Sequence, residues 1–252
     1  MEEPYSKVHL NFGQKILRIL KALKKFSTTE QICVLLQLKA NGQQNLKQNK
    51  KNNKFIYLIS PNKIKDNNFY NNLALILSSG KVSFFQLRLK KETTQNKLII
   101  GKKIQIICKK YKVKFLINDD PLLTKKLNAD GCHLGQKDME LKKARKILKN
   151  KIIGITCHNS INLAKSAIEN GANYLAFGAF YSSKTKRVKY KANLTILKSV
   201  KKITSLPIVA IGGIKFNNYK KLLLNKANFL AISGYIWNNK KYKPLEAIKK
   251  LK

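Results

Sequence analysis

A single unit of sequence repeats from Phe55 to the end of the chain. Short apolar runs alternate with longer lysine-rich stretches whose apolar residues recur at helical spacing, which predicts alternating strands and helices. The runs begin near Phe55, Phe84, Lys114, Gly131, Ile152, Tyr174, Pro207 and Phe229. This pattern predicts an α/β fold, a (β/α)8 TIM barrel near its minimum length. A doubly wound open sheet is the second candidate, but the residues after the first run lack the glycine-rich turn that it needs.

Residues 1–54 do not share this repeat. Apolar residues at helical spacing between Ile16 and Phe26 predict a short helix, whereas Gln43 to Lys54 contains one apolar residue and is typical of a disordered linker. We interpret 1–54 as a short basic N-terminal extension, helical and then disordered, and 55–252 as the catalytic barrel. A membrane-surface or targeting helix is the alternative, which Glu2 and Glu3 disfavour.

The charge of the chain is strongly positive, with 52 basic against 12 acidic residues and a net charge of +40. All but four of the basic residues are lysine, and they are spread through every segment. Sites that read nucleic acids rely on the bidentate fork of arginine and on clustered charge. We therefore expect no specific nucleic acid partner.

The cysteines and the apolar runs bear on the compartment. Four widely spaced cysteines without a CxxC pair indicate a reducing cytoplasmic setting without disulfides. No apolar run approaches the roughly 18 residues of a membrane span, so we expect no membrane association. The sequence leaves the oligomeric state open, including a homo-oligomer.

Polar side chains interrupt the second predicted strand. Alternation with period two places Gln86, Arg88 and Lys90 on one face. A barrel strand has helices outside and packed side chains inside, so three polar groups facing inward need an anionic ligand or buried partners. We favour the ligand.

Acidic residues cluster at the ends of the third and fourth predicted strands. Asp119, Asp120, Asp130 and Asp138 are four of the nine acidic residues of 55–252, and they lie within 20 positions. Carboxylates on neighbouring strand ends suit Mg²⁺, which binds through one or two carboxylates together with substrate phosphate. Capping of helix N-termini is the alternative role for these residues.

The later strands end in small and hydroxyl-bearing residues. Gly212-Gly213 follows the seventh strand and Ser233-Gly234 the eighth, where barrels of this kind commonly bind phosphate through backbone amides. We interpret His133 and His158 as strand residues with hydrogen-bonded rings, because no partner stands at zinc-ligand spacing. Cys132 and Cys157 are interpreted as small buried hydrophobic residues.

These motifs together resemble those of the thiamine phosphate synthase family over nearly all of 55–252. The matching stretches are FQLRLK, LINDD, ADGCHLGQKDM, IIGITCH, YLAFGAFYSSKTK, LPIVAIGGI and the AIS before Gly234. The resemblance implies a transferase on a TIM barrel. Its Mg²⁺-dependent reaction joins an aminopyrimidine methyl diphosphate to a thiazole ethyl phosphate and releases pyrophosphate.

The resemblance also implies roles for individual residues. The pyrimidine diphosphate is expected to contact Gln86, Arg88, Lys90, Asn118, Thr156 and Lys186, among which Arg88, Lys90 and Lys186 are the catalytic cations. The thiazole phosphate is expected to contact Ser183, Lys184, Thr185, Gly213, Ser233 and Gly234. Asp119 and Asp138 are expected to hold Mg²⁺.

The chain departs from the family's pattern at a few positions. Leu89 replaces a usual Glu, and Thr156 and Gly234 each replace a usual Ser. Around the sixth-strand loop, Ala179 replaces a usual Pro and Ser182-Ser183 a usual Pro-Thr. Two alternatives therefore stay open. One is a thiazole phosphate isomerase (tautomerase) of the same family, and the other is a catalytically retired basic binding protein on the same barrel.

Overall fold

The structure is a computed structural model that describes residues 54–64, 66–182 and 189–251. The predicted N-terminal helix and linker lie outside the described residues. The strands are β1 (Ile56–Ile59), β2 (Val82–Leu87), β3 (Lys114–Asn118), β4 (Gly131–Leu134), β5 (Ile152–His158), β6 (Tyr174–Phe177), β7 (Ile208–Ile211) and β8 (Phe229–Ile232). The helices are α1 (Asn68–Ser78), α2 (Thr94–Lys110), α3 (Pro121–Leu127), α4 (Leu141–Leu148), α5 (Ile161–Glu169), α6 (Leu194–Ile203), α7 (Tyr219–Leu224), α8 (Gly234–Trp237) and α9 (Pro244–Lys249).

The eight strands form a closed parallel barrel in sequence order. β1 pairs with β2 on one side and with β8 on the other, which closes the sheet and confirms the TIM barrel over the open alternative. Every strand begins within two residues of its predicted start. The short apolar runs predict these boundaries well because each one is a whole buried strand bounded by polar residues or glycine.

Apolar side chains fill two separate layers. The larger layer lies between the strands and the surrounding helices, and it holds the residues that alternate outward, such as Phe85, Phe115 and Ile153. The smaller layer fills the barrel interior and includes Tyr57 and Tyr174. Burial of these two faces supplies the main driving force for folding, since apolar area removed from water contributes about 25 cal/mol per Å².

A glycine makes room for the largest ring inside the barrel. A Cβ atom built on Gly154 of β5 would lie 1.8 Å from the ring of Tyr174 on the neighbouring strand β6. No side chain larger than hydrogen fits at this position while the ring stays in place. Gly154 therefore fixes where the Tyr174 hydroxyl lies in the barrel interior.

Two further expectations concern the cysteines and the membrane. Cys108, Cys132 and Cys157 are buried and free, as predicted for 132 and 157, and burial raises the pKa of the Cys132 thiol to about 12. Cys33 lies outside the described residues. In the described part of the chain, no helix has the length and apolar character needed to cross a membrane.

Candidate active site

Basic and acidic side chains meet where β2 and β3 end. Gln86 is buried at 2% exposure, while its neighbours Leu87 and Leu89 pack outward against the helices, so the predicted alternation along this segment is confirmed. Lys90 follows the end of β2, and its Nζ lies 2.8 Å from the Oδ2 atom of Asp119, which follows β3. Adjacent parallel strands bring these two residues together because their carboxyl ends lie at the same end of the barrel.

The carboxyl groups of Asp119 and Asp138 lie close enough for each to change the pKa of the other. Burial and the bond to Asp119 raise the pKa of Asp138. Burial acts in the same direction on Asp119, but the hydrogen bonds from Lys90 and Asp138 outweigh it and lower the pKa of Asp119. The two pKa values therefore move in opposite directions, as expected for two neighbouring carboxyl groups that interact with each other.

The backbone turns sharply to present this pair. Asp119 adopts a left-handed conformation with φ of 65°, which Asp tolerates better than most residues. Asp138 lies in the loop after β4, and its Oδ2 accepts a 2.7 Å hydrogen bond from the backbone amide of Gly135. The loop thus fixes the position of the Asp138 carboxyl group.

The remaining two acidic residues of the cluster have structural roles. Asp120 is the N-cap of α3 and accepts a hydrogen bond from the amide of Leu123, as the capping alternative predicted. Asp130 lies before β4, where it binds Lys114 and the amide of Phe115. Two of the four acids therefore stabilise the scaffold, and the other two, Asp119 and Asp138, interact with each other.

Five side chains form a continuous hydrogen-bonded series across the barrel interior, which we call the floor network. Gln86 Nε2 lies 3.0 Å from the Tyr57 hydroxyl, which lies 2.8 Å from the Tyr174 hydroxyl. His133 places Nδ1 2.8 Å from Tyr174 and Nε2 2.9 Å from the hydroxyl of Thr156. The hydrogen-bonded ring predicted for His133 is confirmed, and both of its nitrogens are engaged.

Burial dominates the electrostatics of the floor network. It lowers the pKa of His133 to about 4, although the negative charge of Asp119 opposes the shift. It also raises the pKa of both Tyr57 and Tyr174 above the ordinary tyrosine value. The network is therefore uncharged at neutral pH. The sequence analysis did not identify Tyr57 or Tyr174 as part of the site. The available signal was a polar hydroxyl within each of two short apolar strands.

The glycine pair after β7 lies against the loop that follows β6. The amide of Tyr181 donates to the Gly212 carbonyl, and a Cβ atom on Gly213 would lie 2.3 Å from the carbonyl oxygen of Ser182. Gly213 also has φ of 60°, a conformation that favours glycine. The predicted phosphate-binding turn is therefore closely packed on the sixth-strand loop.

The end of β8 is tied to the end of β1. The Ser233 hydroxyl donates to the Ser60 carbonyl at 3.0 Å, and the short helix α8 begins at Gly234. The first amides of a helix have no acceptor within it. The Ser233 side chain thus anchors the turn. The backbone amides of the turn remain as the donors that could bind an anion.

Other predicted contacts fall near the same opening or outside the described residues. Asn118 ends β3 in register with His133. It also lines a cavity of about 530 Å³ that extends from the ends of β2 and β3 toward helices α2 and α3, with Lys90, Asp119 and Lys97 in its lining. The guanidinium of Arg88 lies 3.4 Å from Asn62 Oδ1. The predicted contacts outside the described residues are Ser183, Lys184, Thr185 and Lys186.

Comparison with known proteins agrees with this architecture. The family described as thiamine monophosphate synthase matches residues 56–236. The chain belongs to this family. The thiamine-phosphate synthase of Pelagibacter ubique (strain HTCC1062) is 83% identical over 207 residues, which cover 82% of this chain and 100% of the relative. That of Hyphomonas neptunium is 41% identical over 193 residues, 73% of this chain and 86% of the relative.

A solved structure of a family member has the same fold. The thiamine phosphate pyrophosphorylase from Pyrococcus furiosus superposes with a TM-score of 0.70 at 25% sequence identity, covering 80% of this chain and 95% of that one. The thiamine phosphate synthase family was also the resemblance found in the sequence motifs, and the match of 56–236 confirms it.

Proposed function

We propose that this barrel is a transferase of thiamine biosynthesis that couples an aminopyrimidine methyl diphosphate to a thiazole ethyl phosphate. The observation that carries the proposal is the rim cluster, which we define as Arg88, Lys90, Asp119 and Asp138. It combines cations, one of them ion-paired with Asp119, with two interacting carboxyl groups that follow neighbouring strands. Departure of a diphosphate needs such groups, because negative charge grows on its bridging oxygen as the bond breaks.

The chemistry of the pair fits Mg²⁺. The described residues contain no cluster of three or more His, Cys, Asp or Glu arranged for a metal, but Mg²⁺ is ordinarily held by one or two carboxylates plus substrate phosphates and water. A divalent cation would offset the repulsion between the two neighbouring carboxylates of Asp119 and Asp138. We propose that these two residues hold the ion, which when bound neutralises charge on the diphosphate.

The side chains of the chain supply the rest of the mechanism. The carbon–oxygen bond of the pyrimidine methyl diphosphate breaks, the electron pair leaves with pyrophosphate, and the thiazole nitrogen forms the new carbon–nitrogen bond with its own lone pair. Arg88 and Lys90 are placed to neutralise the leaving group. The attacking nitrogen carries no proton, so no general base is required, and catalysis consists of positioning and charge neutralisation.

We propose positions for the two substrates from the same geometry. Gln86, Asn118 and Thr156 lie toward the carboxyl ends of β2, β3 and β5 and are suited to the pyrimidine. The thiazole phosphate is assigned to the turns at Gly213 and Ser233-Gly234 with Ser183, Lys184 and Thr185, and Lys186 joins the cations on the diphosphate. The close packing of Gly213 on residues 181–182 supports a preformed turn there.

We also propose that 55–252 is the catalytic domain, that 1–54 is an extension dispensable for activity, and that the protein works in the cytoplasm. The whole length of the Pelagibacter ubique relative is matched by 82% of this chain, which supports the boundary. The buried free thiols at positions 108, 132 and 157 support a reducing compartment.

The test is an assay of the purified full chain with both substrates and Mg²⁺, in which thiamine phosphate and pyrophosphate are measured together. We expect equal amounts of the two products, and none when either substrate is omitted or EDTA is added. Isomerisation of the thiazole phosphate alone, without pyrophosphate and without a need for Mg²⁺, would instead identify the isomerase. Absence of both reactions would favour the retired binding protein.

A further inference from the structure

The floor network joins two residues that we assign to the pyrimidine, Gln86 and Thr156, through three that have no role in the proposed mechanism. Those three are Tyr57, Tyr174 and His133. Tyr57 and Tyr174 are 1% and 3% exposed, and Gln86 is 2% exposed. Buried polar groups at this depth are retained where every donor and acceptor is satisfied, so the direction of each hydrogen bond can be worked out by counting protons.

The direction is set at Gln86. Its Nε2 group carries only hydrogens to give, so it donates to the Tyr57 oxygen. The Tyr57 proton cannot return to Nε2 and is donated to Tyr174. Tyr174 then accepts from Tyr57 and gives its own proton to Nδ1 of His133.

The same count fixes the tautomer of the histidine. A ring whose Nδ1 accepts a hydrogen bond carries its single proton on Nε2, and this Nε2–H donates to the Thr156 oxygen. The hydroxyl proton of Thr156 is not used within the network and can be donated to a ligand. At the other end, the carbonyl oxygen of Gln86 is left as an acceptor.

We propose that Tyr57, Tyr174 and His133 are positioning residues that make Gln86 an acceptor and Thr156 a donor toward the pyrimidine. This inference rests on the proposed function. An aminopyrimidine offers the matching pattern, because its amino group donates and its adjacent ring nitrogen accepts. An oxopyrimidine offers the opposite pattern, a carbonyl acceptor beside a ring N–H donor. The floor network therefore selects amino over oxo substrates.

Packing holds the rings of the network in place, and the orientation of the Gln86 amide sets its direction. The ring of His133 stacks on that of Tyr174 with centroids 5.6 Å apart and an angle of 15°. Tyr174 also meets Tyr57 edge-on at 5.8 Å, and its ring fills the space left by Gly154. A reversed series would require Gln86 to turn its amide around, since the Tyr57 proton would then need an acceptor at that end.

The first experiment reads the tautomer without substrate. The chain has three histidines, so ¹⁵N-labelled full-length protein together with His9→Gln and His158→Gln variants suffices to assign the imidazole signals of His133 by NMR. We expect a neutral ring protonated on Nε2 at neutral pH. A ring protonated on Nδ1, or on both nitrogens, would overturn the inference whether or not the protein makes thiamine phosphate.

The second experiment measures selectivity. In Tyr174→Phe, kcat/KM for the aminopyrimidine diphosphate should fall on the order of tenfold relative to its oxo analogue, the effect of one lost hydrogen bond. The KM for the thiazole phosphate should not change. Tyr70→Phe is the matched control, because this tyrosine lies on the outer helix α1, and it should retain wild-type selectivity.

Tyr57→Phe tests the same inference at the other end of the network. This variant replaces Tyr174→Phe in the assay if Tyr174→Phe does not fold. It should lower the same selectivity and give a mixture of His133 tautomers. Unchanged amino-over-oxo selectivity in a folded variant of either tyrosine would overturn the positioning role. Failure of the wild-type chain to form thiamine phosphate would instead contradict the proposed function, and the NMR result would still decide the direction of the network.

Discussion

The floor network and the rim cluster lie in the same barrel opening but differ in almost every physical property. The floor is buried and neutral, and its five side chains bind one another. The rim is charged and partly exposed, with 53% exposure for the Lys90 side chain and 27% for that of Asp119. The difference separates two tasks. Fixed neutral groups can recognise a substrate by hydrogen-bond pattern, whereas charges near solvent can adjust to a leaving group.

Neutralising the rim carboxylates should have the largest effect. In Asp119→Asn and Asp138→Asn we expect kcat to fall by roughly 10²–10³, about 2.7–4 kcal/mol of transition-state stabilisation, because each loses one charge that holds Mg²⁺. Asparagine retains the left-handed preference of position 119 and an oxygen for the Gly135 amide. Steady-state kinetics at saturating Mg²⁺ checks this expectation.

Asp130→Asn is the matched control for the rim. Its carboxylate binds Lys114 and the Phe115 amide away from the site, so kcat should stay at the wild-type value. A wild-type rate in either rim variant, or full activity of the wild type in EDTA, would remove the metal assignment.

Protonation of His133 in the floor network should make the stability of the barrel depend on pH. The pKa of His133 is about 4 in the folded barrel against 6.5 for the free side chain. The unfolded chain therefore binds more protons between these values, so the free energy of unfolding decreases as pH falls from about 6.5 to 4, by about 3 kcal/mol in total. Denaturant unfolding over this range measures the slope.

His133→Gln isolates this contribution. The variant is less stable overall because the floor loses hydrogen bonds, but its unfolding free energy should depend less steeply on pH than that of the wild type. His158→Gln is the comparison for a histidine outside the floor. Equal slopes in the wild type and in His133→Gln would show that His133 is not held neutral by burial.

Loss of a single rim cation should have a smaller effect. Arg88→Ala should lower kcat by about 10- to 100-fold and change KM less, since a hydrogen bond to a charged group is worth about 1.5–3 kcal/mol and this one strengthens as the diphosphate leaves. Arg88→Lys keeps the charge and should retain more activity. A rise in KM with kcat unchanged would place Arg88 in ground-state binding only.

Removal of residues 1–53 should have the smallest effect. The floor and the rim both lie within the barrel, so a truncated chain beginning at Lys54 should unfold cooperatively and keep kcat/KM within about twofold of the full chain. Thermal unfolding and steady-state kinetics check both properties. Insolubility, or loss of activity in a folded truncated chain, would make the extension part of the working barrel.

Local patterns predicted the scaffold and part of the site. The strand starts follow from apolar runs, and the inward direction of Gln86 follows from alternation along β2. The acid cluster at 119–138 predicted a metal site at the ends of β3 and β4, and this stays a prediction. The cluster did not indicate which acids cap helices, because Asp119 and Asp120 are neighbours in sequence and differ in role through a single left-handed residue.

The sequence by itself determined the barrel. The order of strands and helices follows from the spacing of apolar residues, which is a property of neighbouring positions in the chain. Only the tertiary structure decided the floor network. Tyr57 and Tyr174 are separated by 117 positions and lie on strands that do not pair, yet their hydroxyls are 2.8 Å apart. Closure of the sheet brings inward-facing side chains of β1 and β6 to one point, and no spacing along the chain encodes that distance.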